Sequence, residues 1–413
     1  MITNVIGIGY IGLPTSLSLA ANGISVVATD VNEDIIRRLS KGKVTFSENG
    51  LEKLFDKAKG NIAFETKPIA TDVYIVAVPT PFDSQTKKVD MCYVKSAVEA
   101  VLGVAPNDAI IVVESTVSPG SVDSLRPLLR GNIKLAHAPE RILPGNMIYE
   151  LEHNSRVIGT DDTETAERLK LLYTRFCKGE IYLTDIRTAE MIKVAENTFR
   201  AVNIAYANEL LKICREADID VRQVIEIANK HPRVNIASPG PGVGGHCIPI
   251  DPWFLVGEFA KTAQLVKVSL EVNASMPQFV YDRIKEICKS EGINRIGVYG
   301  LTYKENVDDI RESPSLRLME LLAGECVAYY DPYVKQRLFK QQCFDFDTFC
   351  ENSELIVIMT VHAEILEREN ALTEKIVFDT RNCIRPVLKL QFTVSNTANK
   401  RHTEQMFLLL VPV

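Results

Sequence analysis

The chain has 413 residues, enough for two or three domains at roughly 100–200 residues each. Its 47 Lys and Arg against 53 Asp and Glu leave a formal charge of −6, a mild acidity that argues against nucleic acid or an anionic membrane surface as partner. The apolar share of 46% suits an ordinary globular protein, and no apolar run reaches the roughly 18–20 residues of a membrane span. The sequence enters a strand-like run close to Met1 with no basic leader and no small-residue cleavage site, so a cytoplasmic protein is expected. Nine cysteines, an odd number with no C-x-x-C spacing, point to reduced thiols and to no metal centre.

The first half alternates short apolar runs with helix-like segments. Val5–Ile8, Ile24–Thr29, Val73–Val78 and Ile110–Glu114 read as strands, and Pro14–Asn22 and Cys92–Val101 as helices. This βαβ alternation predicts a doubly wound parallel sheet. From Thr188 to Ala217, apolar residues at 191/192, 195, 199, 202, 206, 210 and 213 keep the helical period, which predicts one long amphipathic helix. A second helix is expected at Asp220–Lys230, then a Gly/Pro-rich stretch Ser238–Gly245, then further helix to about Arg283–Lys289. Alternation returns with strands at Arg295–Gly300, Cys326–Tyr330, Leu355–Met359 and Lys375–Phe378 and a helix at Ser313–Leu322. Strand-end Asp331 echoes Asp30, and the run before Thr360 echoes the one before Pro79. The expected fold is α/β: two Rossmann-like domains, 1–183 and 281–413, joined by a helical domain, 184–280.

Gly7-Ile8-Gly9-Tyr10-Ile11-Gly12 follows a strand and opens a helix, with Asp30 ending the second strand 18 positions after Gly12. That is a dinucleotide fingerprint. Gly7 permits the tight turn, Gly9 the approach of a pyrophosphate, and Gly12 close helix packing. Asp30 would accept from ribose hydroxyls and repel a 2′-phosphate, which favours NAD. Later strand ends carry Pro79 and Thr80, then Glu114-Ser115-Thr116, then Ala138-Pro139-Glu140-Arg141. Thr80 and Thr116 would line the nicotinamide side; ordinary turn chemistry from Pro and Thr is the equal alternative for each.

In Gly240-Pro241-Gly242-Val243-Gly244-Gly245-His246-Cys247, the cysteine precedes Asp251-Pro252, which reads as an N-cap with proline at the first helical position. A thiol just ahead of a helix N-terminus is favoured as thiolate, and the glycines would leave room for a ligand. Cys247 is therefore a candidate nucleophile; His246, adjacent to it, is a poor candidate for its base. Lys193 and Asn197 share one face of the long helix, away from the Met191/Ala195/Phe199 stripe. On periodicity alone that face reads as solvated; an ammonium and an amide there would also suit an oxyanion.

With GIGYIGLP, VPTPF, ESTVSPG, APERILPG, HPRVN, GPGVGGHCIPIDPWF and GLTYKENVDDIRESP in this order, the sequence resembles the UDP-glucose/GDP-mannose dehydrogenase family from Val5 to about Arg381. Its wording is most similar to the branch that oxidises UDP-N-acetyl-D-mannosamine to the uronic acid of surface polysaccharides. The resemblance implies a four-electron, two-NAD oxidation at C6 through a thiohemiacetal and a thioester on Cys247. It implies Lys193 and Asn197 as oxyanion stabilisers, Glu140 in proton transfer or hydrolysis, and Asp251 orienting water or thiol. Lys304, Arg311, Arg141, Asn235 and Gly244 would contact the sugar nucleotide, and Arg233 would reach it across a homodimer interface. Rival readings are a UDP-glucose or UDP-N-acetylglucosamine 6-dehydrogenase, a two-electron hydroxyacid or 6-phosphogluconate type dehydrogenase, and a non-catalytic nucleotide-sugar binder. Nothing in Cys383–Val413 is recognisable; its apolar end, Met406–Val413, suits docking on the last domain, and an altered reading frame is the other explanation.

Overall fold

A computed structural model describes residues 2–83, 85–143, 145–384 and 389–391 of the chain. They form two compact units, one of residues 1–196 with 253–260 and the other of 197–252 with the rest from 261 onward.

The first unit holds an eight-stranded sheet. Its strands are β1 (Ile2–Ile6), β2 (Ser25–Thr29), β3 (Ile62–Glu65), β4 (Val73–Val76), β5 (Ile110–Val113), β6 (Lys134–His137), β7 (Arg156–Thr160) and β8 (Ile181–Thr184), in the order β3-β2-β1-β4-β5-β6-β7-β8. Strands β1 to β6 are parallel; β7 meets β6 antiparallel and pairs in parallel with β8. The central strands read VYIV and IIVV and are wholly buried, as expected where helices cover both faces of a sheet. The strand order reverses between β1 and β4, which opens a crevice at their carboxyl ends.

In the second unit, β9 (Ile296–Tyr299), β10 (Val327–Tyr330), β11 (Leu355–Ile358), β12 (Ile376–Asp379) and β13 (Lys389–Gln391) form an all-parallel sheet of order β10-β9-β11-β12-β13. Strand β13 lies beyond the point where the sequence stops being recognisable; the apolar end of that tail, with the rest of 392–413, falls outside the described residues. The long helix is Ile186–Glu216. Helices Val221–Ala228, Asp251–Glu258, Gln264–Ala274 and Met276–Glu291 follow it. Side chains start several helices where the sequence suggests: Asp220 accepts from the N–H of Arg222, and Ser313 from that of Ser315. No helix among the described residues is long and apolar enough to cross a membrane.

The echo between the sheets is geometric. The Gly7 N–H donates to Thr29 O at 2.8 Å, and the Gly300 N–H to Tyr330 O at 2.9 Å. Both glycines turn left-handed, at φ +85° and +87°. A Cβ on Gly7 would stand 2.7 Å from Ala77 O, and one on Gly300 2.7 Å from Thr360 N. Gly300→Ala therefore combines a positive φ with a backbone collision and should cost about 2 kcal/mol or more. Gly324→Ala, at φ +93° in open space, isolates the φ penalty and should cost about 1 kcal/mol. Urea unfolding of the two variants checks the ranking.

Candidate active site

The fingerprint loop is shaped for a dinucleotide. Gly9 has no heavy atom within 4 Å of a would-be Cβ, so the chain surface above it is open. Gly12 is pressed against Gly7, its would-be Cβ 1.9 Å from Gly7 O. Asp30 Oδ2 accepts from the Ile8 N–H at 3.0 Å and Oδ1 from the Asn32 N–H at 2.9 Å, which fixes a half-buried carboxylate beside the loop. Tyr10, after Gly9, stacks on Phe46 with centroids 4.4 Å apart, and Ile11 packs on the sheet's core. An open glycine, left-handed turn and ribose-ready carboxylate together fit NAD. The Ser115 hydroxyl donates to Val78 O at 2.7 Å and ties the loop carrying Pro79 and Thr80 to the one carrying Thr116.

Beneath those strand ends lies a charge cluster that the sequence shows only in part. The buried Arg156 guanidinium on β7 pairs with Glu114 Oε1 at 3.1 Å and with Glu140 Oε2. Glu140 Oε1 accepts from the Arg141 N–H at 2.7 Å, and the Thr15 hydroxyl donates to Glu114 Oε2 at 3.3 Å. Two buried carboxylates share one buried guanidinium. Burial pushes the Glu114 carboxyl up; Arg156 pulls it down, repulsion from Glu140 adds, and it settles at about 7. On β6, His137 is fully buried with no hydrogen bond to either ring nitrogen among the described residues, and burial pushes it down to about 3.

Around Cys247 the structure corrects three expectations. Asp251 is the first helical residue, not the cap; the Cys247 carbonyl accepts the N–H groups of Ile250 and Asp251 at 3.1 and 2.8 Å. The glycines do not stand clear for a ligand on their Cα side. Their would-be Cβ atoms meet this chain's own residues: Tyr303 and Glu312 O at Gly244, the Tyr303 ring at Gly245, Arg381 at Gly240. Glycine is required there for close approach of one loop to another. Third, Lys193 and Asn197 are buried, 8% and 5% exposed, whereas Met191, Ala195 and Phe199 are exposed. Asn197 points inward to a partner: its Nδ2 donates to the buried Asp251 Oδ2 at 2.6 Å. Lys193, one helical turn earlier, has no ion-pair or hydrogen-bond partner among the described residues. Cys247 itself is exposed.

Asparagines unnoticed in the sequence hold this loop. Asn208 Oδ1 accepts from the Gly240 N–H, and its amide donates to Asn273 Oδ1, both at 2.9 Å. Asn203 accepts from the Ala237 N–H and donates to Asn235 O, at 3.0 and 2.8 Å. A run of Asn at 197, 203 and 208 on one helix was the available signal.

Arg141 forks onto Glu196 and Ser155. Arg233 is exposed. Arg311 pairs with Asp309, and its carbonyl accepts from the Gly245 N–H at 2.9 Å, tying the cysteine loop to the loop that carries Lys304. Arg381, not singled out in the sequence, donates through Nε to Met359 O at 3.1 Å and has no carboxylate partner among the described residues.

A two-sheet, glycine-and-carboxylate architecture with a cysteine loop defines a class, and the comparisons agree with it. The UDP-glucose/GDP-mannose dehydrogenase family matches the chain in three parts: its NAD binding domain over residues 1–177, its central domain over 187–275 and its UDP binding domain over 297–386. The chain belongs to this family and is an NAD-dependent UDP-sugar dehydrogenase. The UDP-N-acetyl-D-mannosamine dehydrogenase of Methanocaldococcus jannaschii is 43% identical over 397 residues, 92% of each chain. The solved UDP-N-acetyl-mannosamine dehydrogenase of Staphylococcus aureus is 39% identical with a TM-score of 0.87, covering 97% of this chain and 99% of that one. That of Pyrococcus horikoshii is 34% identical with a TM-score of 0.88, covering 95% and 99%.

Glu114 and His137 act oppositely on stability. A carboxyl raised to about 7 contributes stability that is complete below its ordinary 4.5 and is lost as pH rises through 7. A histidine lowered to about 3 costs stability as pH falls below its ordinary 6.5. Each is of order 2 kcal/mol between pH 5 and 8, so they largely cancel in the natural protein. Glu114→Gln should gain stability as pH rises across that window, and His137→Leu should lose it. Thermal melts across the window check both signs.

Proposed function

We propose that the chain oxidises the C6 hydroxyl of UDP-N-acetyl-D-mannosamine to the carboxylate through a covalent adduct on Cys247. The observation that carries this reading is the exposed thiol in the turn closed by Asp251, whose carboxylate is joined to the buried Asn197. The names of the three relatives support the sugar. The segments 1–183, 184–280 and 281–413 would serve as cofactor, central and nucleotide-sugar domains. NAD, when bound along Gly7, Gly9, Gly12 and Asp30, supplies the electron acceptor for each two-electron step.

An aldehyde is a poor hydride donor for the second step, because loss of hydride from its trigonal carbon would leave an acylium-like centre. Addition of the Cys247 sulfur restores a tetrahedral carbon bearing hydrogen, and its oxygen takes up a proton. Oxidation of that thiohemiacetal gives a thioester. Water then cleaves the carbon–sulfur bond, releasing the carboxylate and returning the thiol. Lys193 suits the oxyanions of these steps: a buried ammonium without a counterion gains most from an anion. Asn197, held by Asp251, offers the second donor. Glu140, both of whose oxygens are engaged, enters as the fixed partner of Arg156. Lys304, Arg311, Arg233 and Arg381 supply positive charge for the diphosphate. Thiol chemistry of this kind suits the cytoplasm, and the product is a building block for surface polysaccharide.

A second copy of the chain is the proposed occupant of the long helix's outer face. Met191, Phe199, Tyr206 and Ile213 lie exposed there, Phe199 by 68%, and apolar side chains repeated along one exposed helix face suit an interface.

With limiting sugar nucleotide, two NADH should form per UDP-N-acetylmannosamine, with UDP-N-acetylglucosamine, UDP-glucose and GDP-mannose far behind. One NADH per sugar would sink the thioester route, and a different leading sugar would reassign the substrate. Cys247→Ala should form no uronic acid. By light scattering the protein should be a dimer, and Phe199→Glu with Tyr206→Glu should make it monomeric.

A further inference from the structure

The loop that carries Lys304 has an internal bond from the Thr302 hydroxyl to the Lys304 carbonyl, and it leans as well on residues outside it. It runs from Leu301 to Asn306, leaving the carboxyl end of β9, and ends on Asn306 at φ +57°, a left-handed turn unfavourable for a residue with a side chain. Something outside the loop must maintain it, and the fully buried His362, just after β11, stands at the centre of the contacts that do.

The two ring nitrogens of His362 have different duties. The Asn306 N–H donates to Nδ1 at 3.0 Å, so Nδ1 carries no proton and the ring proton sits on Nε2. Nε2 faces Asp331 Oδ2 at 3.0 Å and the Thr302 hydroxyl oxygen at 3.2 Å. That hydroxyl donates to the carbonyl of Lys304 at 3.0 Å. Asp331 Oδ2 also accepts the N–H groups of Leu301 and Thr302, at 2.7 and 3.0 Å. The Asn306 side chain closes the circuit by accepting from the Ala363 N–H at 2.9 Å, beside the histidine. One imidazole thus spans the loop, with its acceptor on the far end and its donor on the near end and the hydroxyl that grips Lys304.

We propose that His362 is a positioning residue for nucleotide-sugar binding: in a single tautomer it holds loop 301–306 so that Lys304 meets the substrate diphosphate. This deepens the reading of Lys304 as a substrate contact and rests on it. In the first sheet the corresponding loop is set by glycines and Asp30. Here Thr302 and Glu305 stand where Gly9 and Gly12 would, and the added side chains need an added clamp.

Four variants test the proposal: His362→Leu, His362→Asn, Lys304→Met and the double variant His362→Leu/Lys304→Met. The readouts are KM for the sugar nucleotide, KM for NAD, and the dissociation constant of UDP by calorimetry. His362→Leu should raise the sugar-nucleotide KM about tenfold, within the range of coupled neighbours, while KM for NAD stays put. His362→Asn, which places an amide oxygen where Nδ1 stands, should restore part of the loss. If His362 acts through Lys304, the double variant should be no worse than Lys304→Met alone. Multiplicative effects in the double variant, or equal damage to both KM values, would overturn the proposal. So would an unchanged sugar-nucleotide KM in His362→Leu while Lys304→Met is impaired, and the reading of Lys304 would then survive. An unimpaired Lys304→Met would instead remove that reading and the proposal together. Should His362→Leu fail to fold, Thr302→Val, which removes the hydroxyl that meets both His362 Nε2 and the Lys304 carbonyl, carries the same comparison with Lys304→Met.

Discussion

Both crevices depend on a carboxylate at the end of the second strand taking backbone N–H groups from the loop after the first. In each sheet that loop must turn sharply over the carboxyl edge, where its amides have no ladder partner and would otherwise point into the crevice unpaired. Asp30 takes the Ile8 N–H, and Asp331 takes those of Leu301 and Thr302. The two then diverge. Asp30 is half-buried and has acceptor capacity left for a ribose. Asp331 is buried, with Oδ1 accepting from Tyr333 and Val334 and Oδ2 shared with His362. One carboxylate serves the loop and a ligand; the other is spent inside the fold, and its loop presents a lysine to the ligand.

Buried charge is the second theme. Arg156 lies between two carboxylates, and burial makes one of them hold its proton near neutrality. Removing one member of such a cluster leaves an uncompensated charge, which costs more than the cluster contributes as a unit. Its value to the protein is geometric: the ends of β5, β6 and β7 are joined where Thr116 and Glu140 leave the sheet. Lys193 is the opposite case, a buried side chain with no ion-pair partner among the described residues.

Elements whose residues all face the core were legible in the sequence. The runs at Val73–Val76, Ile110–Val113 and Leu355–Ile358 read as strands because both faces of a parallel sheet are covered. Edge strands β3 and β8, half exposed, carry no such run, and β7 was hidden by Arg156 and Gly159. Gly159 sits where a Cβ would stand 2.6 Å from the Asp185 carbonyl oxygen, a requirement set by a partner 26 positions away.

By itself the sequence determined the cofactor loop, the long helix, the thiol and the family, because each is a local pattern of spacing and residue type. Tertiary structure decided which way those patterns face. Periodicity placed Lys193 and Asn197 on a solvated side of the helix, and the fold turned that side inward and left Phe199 outside. An amphipathic period reports that two faces differ, not which is buried; that depends on whether Asp251 is there to receive Asn197. The same holds for the glycines before Cys247, whose open side is filled by Tyr303, and for His362, an unremarkable histidine in sequence. Their roles arise from residues distant along the chain, and such contacts leave no mark in local spacing.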